Sequence, residues 1–334
     1  MNVSNSPRFA FISFILAGLL TSCSGATNQS IVPSPNANVG LPQATVHRAL
    51  SGDFLGCPYQ TGDVWQQDIS SAKIDPYSAA YIKATQDAGG ASAFTVWAPT
   101  TNELVNAANS STQLVKVVGK VKWHTPYSPW PWQSNFFISP MGDAHALVLQ
   151  ESNCQYYEGY SVSYSNGTLA MYNGGMWDLT KPFVRPAQGS TSTASGIPIG
   201  LVAVRPEELK AGVIAHALGW DGVAHTWSQT ACVSPAGKTD CTDDLAYKGP
   251  SGDKPLPYGA HMRLKASFND SAFPNEARAV AEALKHYGAY GYDTGCCNAI
   301  VFVNDQNGGP VWTKADQAAI ASIGISNFDV VVAP

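Results

Sequence analysis

Short runs of β-branched and aromatic residues recur along most of the chain, and Gly, Pro, Asn or Ser interrupts nearly every gap between them. These runs are 93–98, 114–123, 145–150, 155–164, 168–172, 200–204, 212–220, 261–268, 299–303 and 328–332. Such residues favour pleated strands, whereas the interrupting residues favour turns. The pattern predicts a mostly β fold, a β-sandwich of jelly-roll type with a few peripheral helices.

Three segments have helical spacing instead. The predicted helices span residues 77–84, 276–287 and 313–323. Asp75 precedes the first as an N-cap, with a proline at the first helical position. Gly288 follows the second and supplies the left-handed residue that ends many helices. We expect these helices to pack around the sheets.

The N-terminus has the pattern of an export signal. Arg8 precedes an apolar run at residues 9–20, which is too short to span a membrane. The run leads into Leu-Thr-Ser before Cys23, as in a lipobox, although Cys23 could also be an ordinary cysteine near a cleavage site. We predict a signal peptide at 1–22, a flexible tether at 23–50 and a single β-rich domain at 51–334. The membrane would then be a partner through the lipid on Cys23.

Six further cysteines indicate disulfides in an oxidising compartment. They are Cys57, Cys154, Cys232, Cys241, Cys296 and Cys297. Cys232 and Cys241 flank a short polar loop and form the easiest pair to close, whereas Cys296 and Cys297 are adjacent and need different partners. No paired CxxC motif points to a metal site, and we expect neither a metal nor another cofactor.

Composition and missing motifs narrow the functional classes. Only 13% of residues are charged and the net charge is −5, which disfavours a nucleic-acid binder that neutralises phosphates. No apolar stretch after residue 25 is long enough for a spanning helix. GxSxG, HExxH, Walker and GxGxxG motifs are all missing from the sequence. Carboxylates with supporting histidines are the remaining catalytic groups.

Aromatic residues interleaved with prolines form the most unusual segment. The candidate substrate-binding rings are Trp123, Tyr127, Trp130 and Trp132. Three prolines prevent this segment from forming a central strand, so it is predicted to be a loop. Rings on a stiff loop could stack on the apolar faces of sugars, or they could cap the core of the sandwich.

Several ionisable residues are candidates for catalysis. Asp143 and His145 are two apart in an extended segment and could share a face that points at a cleft or a metal, or form a structural hydrogen bond. Glu158 lies in an aromatic strand, where burial would raise its pKa and suit a general acid. Asp293 is predicted to lie on a turn between tyrosines.

Four other ionisable residues have competing structural explanations. Glu208 follows a proline and could lie in a solvated turn, and His216 could be a core histidine of an apolar strand. Arg263 and Lys265 share a strand face, where they could orient a carboxylate or form ion pairs.

Several stretches occur in a fixed order between residues 64 and 332. They read GDAHALVL followed by a cysteine and YYE, then TSTASGIPIGLVAVRPEELKAGVIAHAL, PYGAHMRLKASF, ALKHYGAYGYDTG and NFDVVV. In this order the chain resembles a group of secreted, largely uncharacterised bacterial proteins that are often associated with carbohydrate-binding modules. Ala144, Thr193, Gly219 and Thr294 stand where that group has Arg, Asp, Arg and Asn. The ionisable residues at matching positions are Asp143, His145, Glu158, Glu208, His216, Arg263, Lys265 and Asp293.

The sequence and this resemblance together favour an exported lipoprotein of the cell envelope, facing the periplasm or the cell surface, whose partner is a polysaccharide or another glycan. The leading hypothesis is a glycoside hydrolase with Glu158 or Asp143 as acid and Glu208 or Asp293 as base or nucleophile. His145 and His216 would orient the substrate.

Two alternatives stay open. One is a polysaccharide lyase, in which His145 or a tyrosine removes the C5 proton and Arg263 or Lys265 neutralises the uronate. The other is a glycan-binding or structural lipoprotein without catalysis.

Overall fold

The computed structural model describes residues 53–58, 63–88, 95–96, 103–122, 126–184, 191–223, 226–237, 251–295, 298–303 and 313–332. The predicted signal peptide, Cys23 and the tether lie outside these ranges. The residues in these ranges belong to one compact unit.

Most of the described secondary structure is β, as the recurring runs predict. The strands are β1 (Asp53–Phe54), β2 (Cys57–Pro58), β3 (Thr95–Val96), β4 (Val105–Ala108), β5 (Leu114–Gly119), β6 (Trp130–Pro131), β7 (Ala146–Gln150), β8 (Gln155–Tyr160), β9 (Ser163–Ser165), β10 (Thr168–Met171), β11 (Asn173–Asp178), β12 (Leu218–Val223), β13 (Trp227–Cys232), β14 (Leu256–Tyr258), β15 (His261–Leu264), β16 (Ala289–Gly295), β17 (Ala299–Ile300) and β18 (Phe328–Val331). The helices are α1 (Ser78–Asp87), α2 (Ile199–Val202), α3 (Pro206–Ala211), α4 (Asn275–His286) and α5 (Lys314–Ala321).

In the described ranges these strands form three larger sheets and two short ribbons. Sheet A has the order β11-β8-β7-β4, sheet B has β18-β15-β16-β12-β17-β3, and sheet C has β6-β5-β10-β9. The pairs β4–β7, β5–β10 and β12–β16 are parallel, so the sheets are mixed and differ from the antiparallel pairing of a jelly roll. Parallel neighbours need long connections, which the spacing of the runs does not reveal.

Sheet A is covered on both faces. Leu147 and Leu149 of β7 belong to the larger core, which also contains residues of sheet B and α4. Ala146 and Val148 belong to a smaller core with residues of sheet C. This alternation follows from the two-residue period of a strand. A polar side chain on the Leu147 face therefore points towards sheet B rather than to solvent.

The three predicted helices are present as α1, α4 and α5, but the predicted N-cap Asp75 is wrong. Helix α1 begins at Ser78 after Tyr77, and Asp75 instead accepts a hydrogen bond of 2.7 Å from the Tyr77 N–H. Thr313 caps α5 by accepting a hydrogen bond of 3.1 Å from the Asp316 N–H, and Gly288 has a φ of 70° just after α4. The predicted strand at 200–204 is wrong, because Pro198 is followed by the buried helical turn α2. No helix within the described ranges is long and apolar enough to span a bilayer.

One disulfide, between Cys57 and Cys154, is present among the described residues. It joins β2 to the turn between β7 and β8 across 97 residues. Cys232 is exposed and has no disulfide partner in the described part of the chain. Cys241, Cys296 and Cys297 lie outside that part, so the predicted pair of Cys232 and Cys241 stays a prediction.

Removing this disulfide is expected to lower the free energy of unfolding by about 2–5 kcal/mol, because a long loop of the unfolded chain is released. Denaturant unfolding of Cys57→Ala, Cys154→Ala and the double variant measures the loss. The double variant should lose about as much as either single variant, since both remove the same bond. Losses that add would contradict a shared bond.

Candidate functional site

A cavity with a volume of about 190 Å³ lies next to the beginning of β7. The carboxyl and imidazole side chains that line it are Glu103, Asp143, His145, Asp221 and Asp293. None of its described lining residues is Lys or Arg. We call it the acidic cavity. The predicted residues Asp143, His145 and Asp293 are therefore brought together, although the structure places Asp293 in β16 rather than on a turn.

The pairing of strands in sheets A and B brings His145, Asp221 and Asp293 to the cavity. Ala146 pairs with Gly159, so His145 is opposite Tyr160 on sheet A. On sheet B, Asp221 of β12 is the registered neighbour of Asp293 of β16. Registered residues of parallel strands have side chains on the same face.

Gly295 leaves room for one of these carboxylates. A Cβ atom at Gly295 would overlap the carboxylate of Asp221. A glycine is therefore required there by close approach, and any larger residue would displace the Asp221 side chain from the wall of the cavity.

His145 is held as an imidazolium. Its ring is 6% exposed, and its Nδ1 lies 2.9 Å from Oε1 of Glu103. Burial lowers the pKa of His145, but the charge and hydrogen bond of Glu103, with the charges of Asp293 and Glu158, outweigh burial and raise it to about 10. The protonated ring can donate hydrogen bonds and balance negative charge, but it cannot accept a proton at neutral pH.

Asp293 combines access to the cavity with a raised pKa. Its Oδ1 accepts hydrogen bonds from the backbone N–H groups of Ala194 at 3.0 Å and Thr294 at 2.9 Å. Burial, with a smaller effect of the Asp143 carboxylate, raises the pKa of Asp293 to about 6, although these hydrogen bonds and the charge of His145 lower it. A carboxyl group with such a pKa is a suitable proton donor in mildly acidic solution.

Glu158 lies behind the cavity wall and is fully buried on β8. It accepts hydrogen bonds from the Tyr156 hydroxyl at 2.5 Å, from the Ser192 hydroxyl, and from the N–H of Gly200 at 3.3 Å. Burial raises the pKa of Glu158 to about 7, although the Tyr156 hydrogen bond and the charge of His145 lower it. Glu158 does not line the cavity, so it acts on the site by supporting His145 and α2.

The raised pKa of His145 predicts a dependence of stability on pH. The unfolded ring loses its proton near pH 6.5 and the folded ring near pH 10, so the contribution is complete below pH 6.5 and is lost as pH rises towards 10. The slope is expected to reach about 1.4 kcal/mol per pH unit. Unfolding of wild type and His145→Gln across this range measures it, with His286→Gln, whose side chain is 50% exposed, as control. Parallel curves for wild type and His145→Gln would contradict the charged state.

Glu208 and His216 lie in a different cluster and do not line the cavity. Glu208 is 4% exposed on α3, and its carboxylate lies 2.5 Å from Nη2 of Arg205 and 3.0 Å from Nε2 of His216. Arg205 is itself fully buried. This arrangement is an internal ion cluster. Glu208 and His216 therefore lie in the protein interior and are not part of the cavity that contains Asp143, His145 and Asp293.

The aromatic segment is not a loop throughout, because Trp130 and Pro131 form β6 at the edge of sheet C. Its described tryptophans lie in the core rather than on an open surface. Trp130 and Trp132 are 0% and 2% exposed and belong to the smaller core. Their rings fill the smaller core between sheet C and sheet A, where apolar side chains are removed from water. Tyr127 is 40% exposed and its ring lies 6.0 Å from that of Tyr157. Trp123 lies outside the described residues.

The two candidate cations are also remote from the cavity lining. Arg263 donates hydrogen bonds of 2.7–3.0 Å to the backbone carbonyls of Ile69, Ser70 and Ala72. Lys265 donates to the carbonyl of Ser326 at 2.8 Å. Arg263 in β15 and Lys265 just after it therefore hold neighbouring segments of the chain and do not line the cavity.

Sequence reasoning missed Glu103 and Asp221. Glu103 precedes a short strand that was not predicted, and it meets His145 across 42 residues of sequence. Asp221 comes directly after the predicted run at 212–220. Only its pairing with Asp293 in the sheet shows that it belongs to the cavity. No three His, Cys, Asp or Glu side chains within the described ranges are grouped so that they could hold a metal ion.

Comparisons of the chain with models of protein families, with curated proteins and with solved structures found no match.

Proposed function

We propose that this chain is an exported glycoside hydrolase that uses the carboxylates of the acidic cavity. The observation that carries the proposal is Asp293, a carboxyl group with a pKa of about 6 that lines a cavity beside an imidazolium and further carboxylates. Enzymes that hydrolyse glycosidic bonds use one carboxyl group as proton donor and a second as base or nucleophile. The inventory of this cavity matches that requirement.

The proposed reaction exchanges the roles that the sequence suggested for Asp143 and Asp293, because Asp293 has the raised pKa. Asp293 transfers its proton to the glycosidic oxygen while the bond between that oxygen and the anomeric carbon breaks. Asp143 is exposed at the cavity mouth. It either takes a proton from the attacking water or bonds to the anomeric carbon before water releases the sugar. His145 orients the substrate and balances the carboxylate charges. The anomer of the first product, read by NMR, distinguishes the two routes.

Charge favours a neutral glycan as the substrate. The lining carries four carboxyl side chains and one imidazolium, so an anionic uronate would be repelled. The oxygen Oε2 of Glu103 is buried without a hydrogen-bond partner among the described residues. A sugar hydroxyl in the cavity would satisfy it.

The lyase alternative has less support. Its base would have to be unprotonated, whereas His145 has a pKa of about 10. Arg263 and Lys265, which would neutralise the uronate, bind backbone carbonyls elsewhere. The non-catalytic alternative would use the same cavity. A measurement of product formation distinguishes it from hydrolysis, because a binding protein releases no product.

We also propose the cell envelope as the location, with Cys23 as the lipid anchor. The disulfide between Cys57 and Cys154 supports an oxidising compartment. For the finer architecture we propose a sandwich of sheets A and B, which share the larger core.

Incubation of the purified protein with plant, fungal and bacterial polysaccharides tests the proposal. New reducing ends without ultraviolet absorbance would support hydrolysis, whereas absorbing, unsaturated products would indicate a lyase. Binding without any product would indicate a glycan-binding protein and would refute the proposed catalysis.

A further inference from the structure

Tyr160 and Tyr172 form a row of rings that begins at His145. The ring centroids of His145 and Tyr160 are 5.9 Å apart, and those of Tyr160 and Tyr172 are 6.1 Å apart. The N–H of Tyr172 also donates to the carbonyl of Tyr160 at 3.0 Å. The backbone therefore fixes the order of these rings.

Exposure increases along this row. His145 is 6% exposed, Tyr160 is intermediate, and Tyr172 is 40% exposed. The row therefore runs from a buried residue of the cavity lining to an exposed ring.

The backbone beside Tyr160 contacts a residue of the cavity lining. The N–H of Ser161 donates to the carbonyl of Asp143 at 2.7 Å. The Ser161 hydroxyl accepts a hydrogen bond of 3.2 Å from Nζ of Lys120. Polar donors thus flank the rings, as the hydroxylated rim of a sugar requires.

We propose that Tyr160 and Tyr172 form a binding subsite for the next sugar units of a neutral glycan whose reacting sugar occupies the acidic cavity. Each step between rings is comparable with the length of one pyranose unit. A tyrosine presents a flat apolar face with few rotamers to fix, which suits the C–H face of a sugar. The inference rests on the proposed function for the identity of the reacting sugar, but binding to the row does not require cleavage.

Calorimetry with defined neutral oligosaccharides tests this subsite. The probes are the hexaoses of cellulose, xylan, mannan and chitin, together with their monosaccharides. Tyr172→Ala is expected to weaken binding of at least one hexaose about 3–10-fold, the range of a single aromatic contact. Tyr172→Phe should retain binding, and the affinity for the monosaccharide should stay unchanged.

The Tyr77→Ala variant is the matched control, because Tyr77 is 54% exposed on the N-terminal end of α1 and does not contact the row. All variants are also made with Asp293→Asn, so that cleavage does not consume the ligand. Equal affinity of wild type and Tyr172→Ala for every hexaose that binds, or no hexaose binding at all, would overturn the subsite. Binding that depends on Tyr172 without release of reducing ends would refute the hydrolase but retain the subsite.

Discussion

The Asp293→Asn variant is expected to cleave polysaccharide about 10²–10⁴-fold more slowly than wild type, the usual contribution of a general acid. The amide has nearly the same shape as the carboxyl group, so its oxygen can still accept the hydrogen bonds from Ala194 and Thr294. It cannot transfer a proton to the glycosidic oxygen. The loss should therefore appear in kcat, measured from reducing ends under saturating substrate.

The pH profile adds a readout that a structural role would not change. The proton on Asp293 is lost as pH rises through about 6, so wild-type kcat/KM should fall above that pH. This fall should be missing from the residual activity of Asp293→Asn. Asp68→Asn, an exposed change outside the cavity, is the control and should keep both the rate and the profile. A wild-type rate in Asp293→Asn would refute Asp293 as the acid.

The sequence correctly groups Asp143 with His145, since both line the cavity, but the predicted reason is wrong. The segment is not extended, because Asp143 lies in a turn and Ala144 has a φ of 44°. The aromatic surroundings of Glu158 predict burial, which agrees with its pKa of about 7. Local features also predict the helices, since caps and a left-handed glycine act within one turn.

The remaining site residues depend on contacts that local patterns do not encode. Asp221 reaches Asp293 because β12 and β16 pair in parallel, although other strands and α4 separate them in sequence. Parallel pairing leaves no short hairpin signal to read. Glu103 reaches His145 in the same way, through the parallel pair β4–β7.

The error at α2 has a different cause. Residues 199–204 are apolar and rich in β-branched side chains, so local propensity favours a strand. In the structure the turn of α2 directs the N–H of Gly200 at Glu158, which lies 3.3 Å away. A buried carboxylate needs such donors, and this tertiary requirement outweighs a propensity of a few tenths of a kcal/mol per residue.

The Glu208→Gln variant is expected to lose about 3–5 kcal/mol of unfolding free energy, because it leaves the buried Arg205 charge without its main partner. Arg205 is 0% exposed, and its Nη2 lies 2.5 Å from the Glu208 carboxylate. The variant keeps the shape of the side chain, so lost packing contributes little. Urea unfolding at neutral pH measures the loss. Turnover of the folded variant should stay at the wild-type rate, since Glu208 does not line the cavity.

Glu207→Gln is the matched control on the same helix. Glu207 lies 3.5 Å from Nε of Arg205, farther than the 2.5 Å between Glu208 and Nη2, so Glu207→Gln should cost clearly less than Glu208→Gln. The charges of Arg205 and His216 outweigh burial and lower the pKa of Glu208. Its stabilising charge is therefore present above the unfolded pKa and lost as pH falls through the lower folded value. The difference between wild type and Glu208→Gln should narrow in acid, and a difference that persists there would mean that lost packing, rather than an unpaired Arg205, causes the instability.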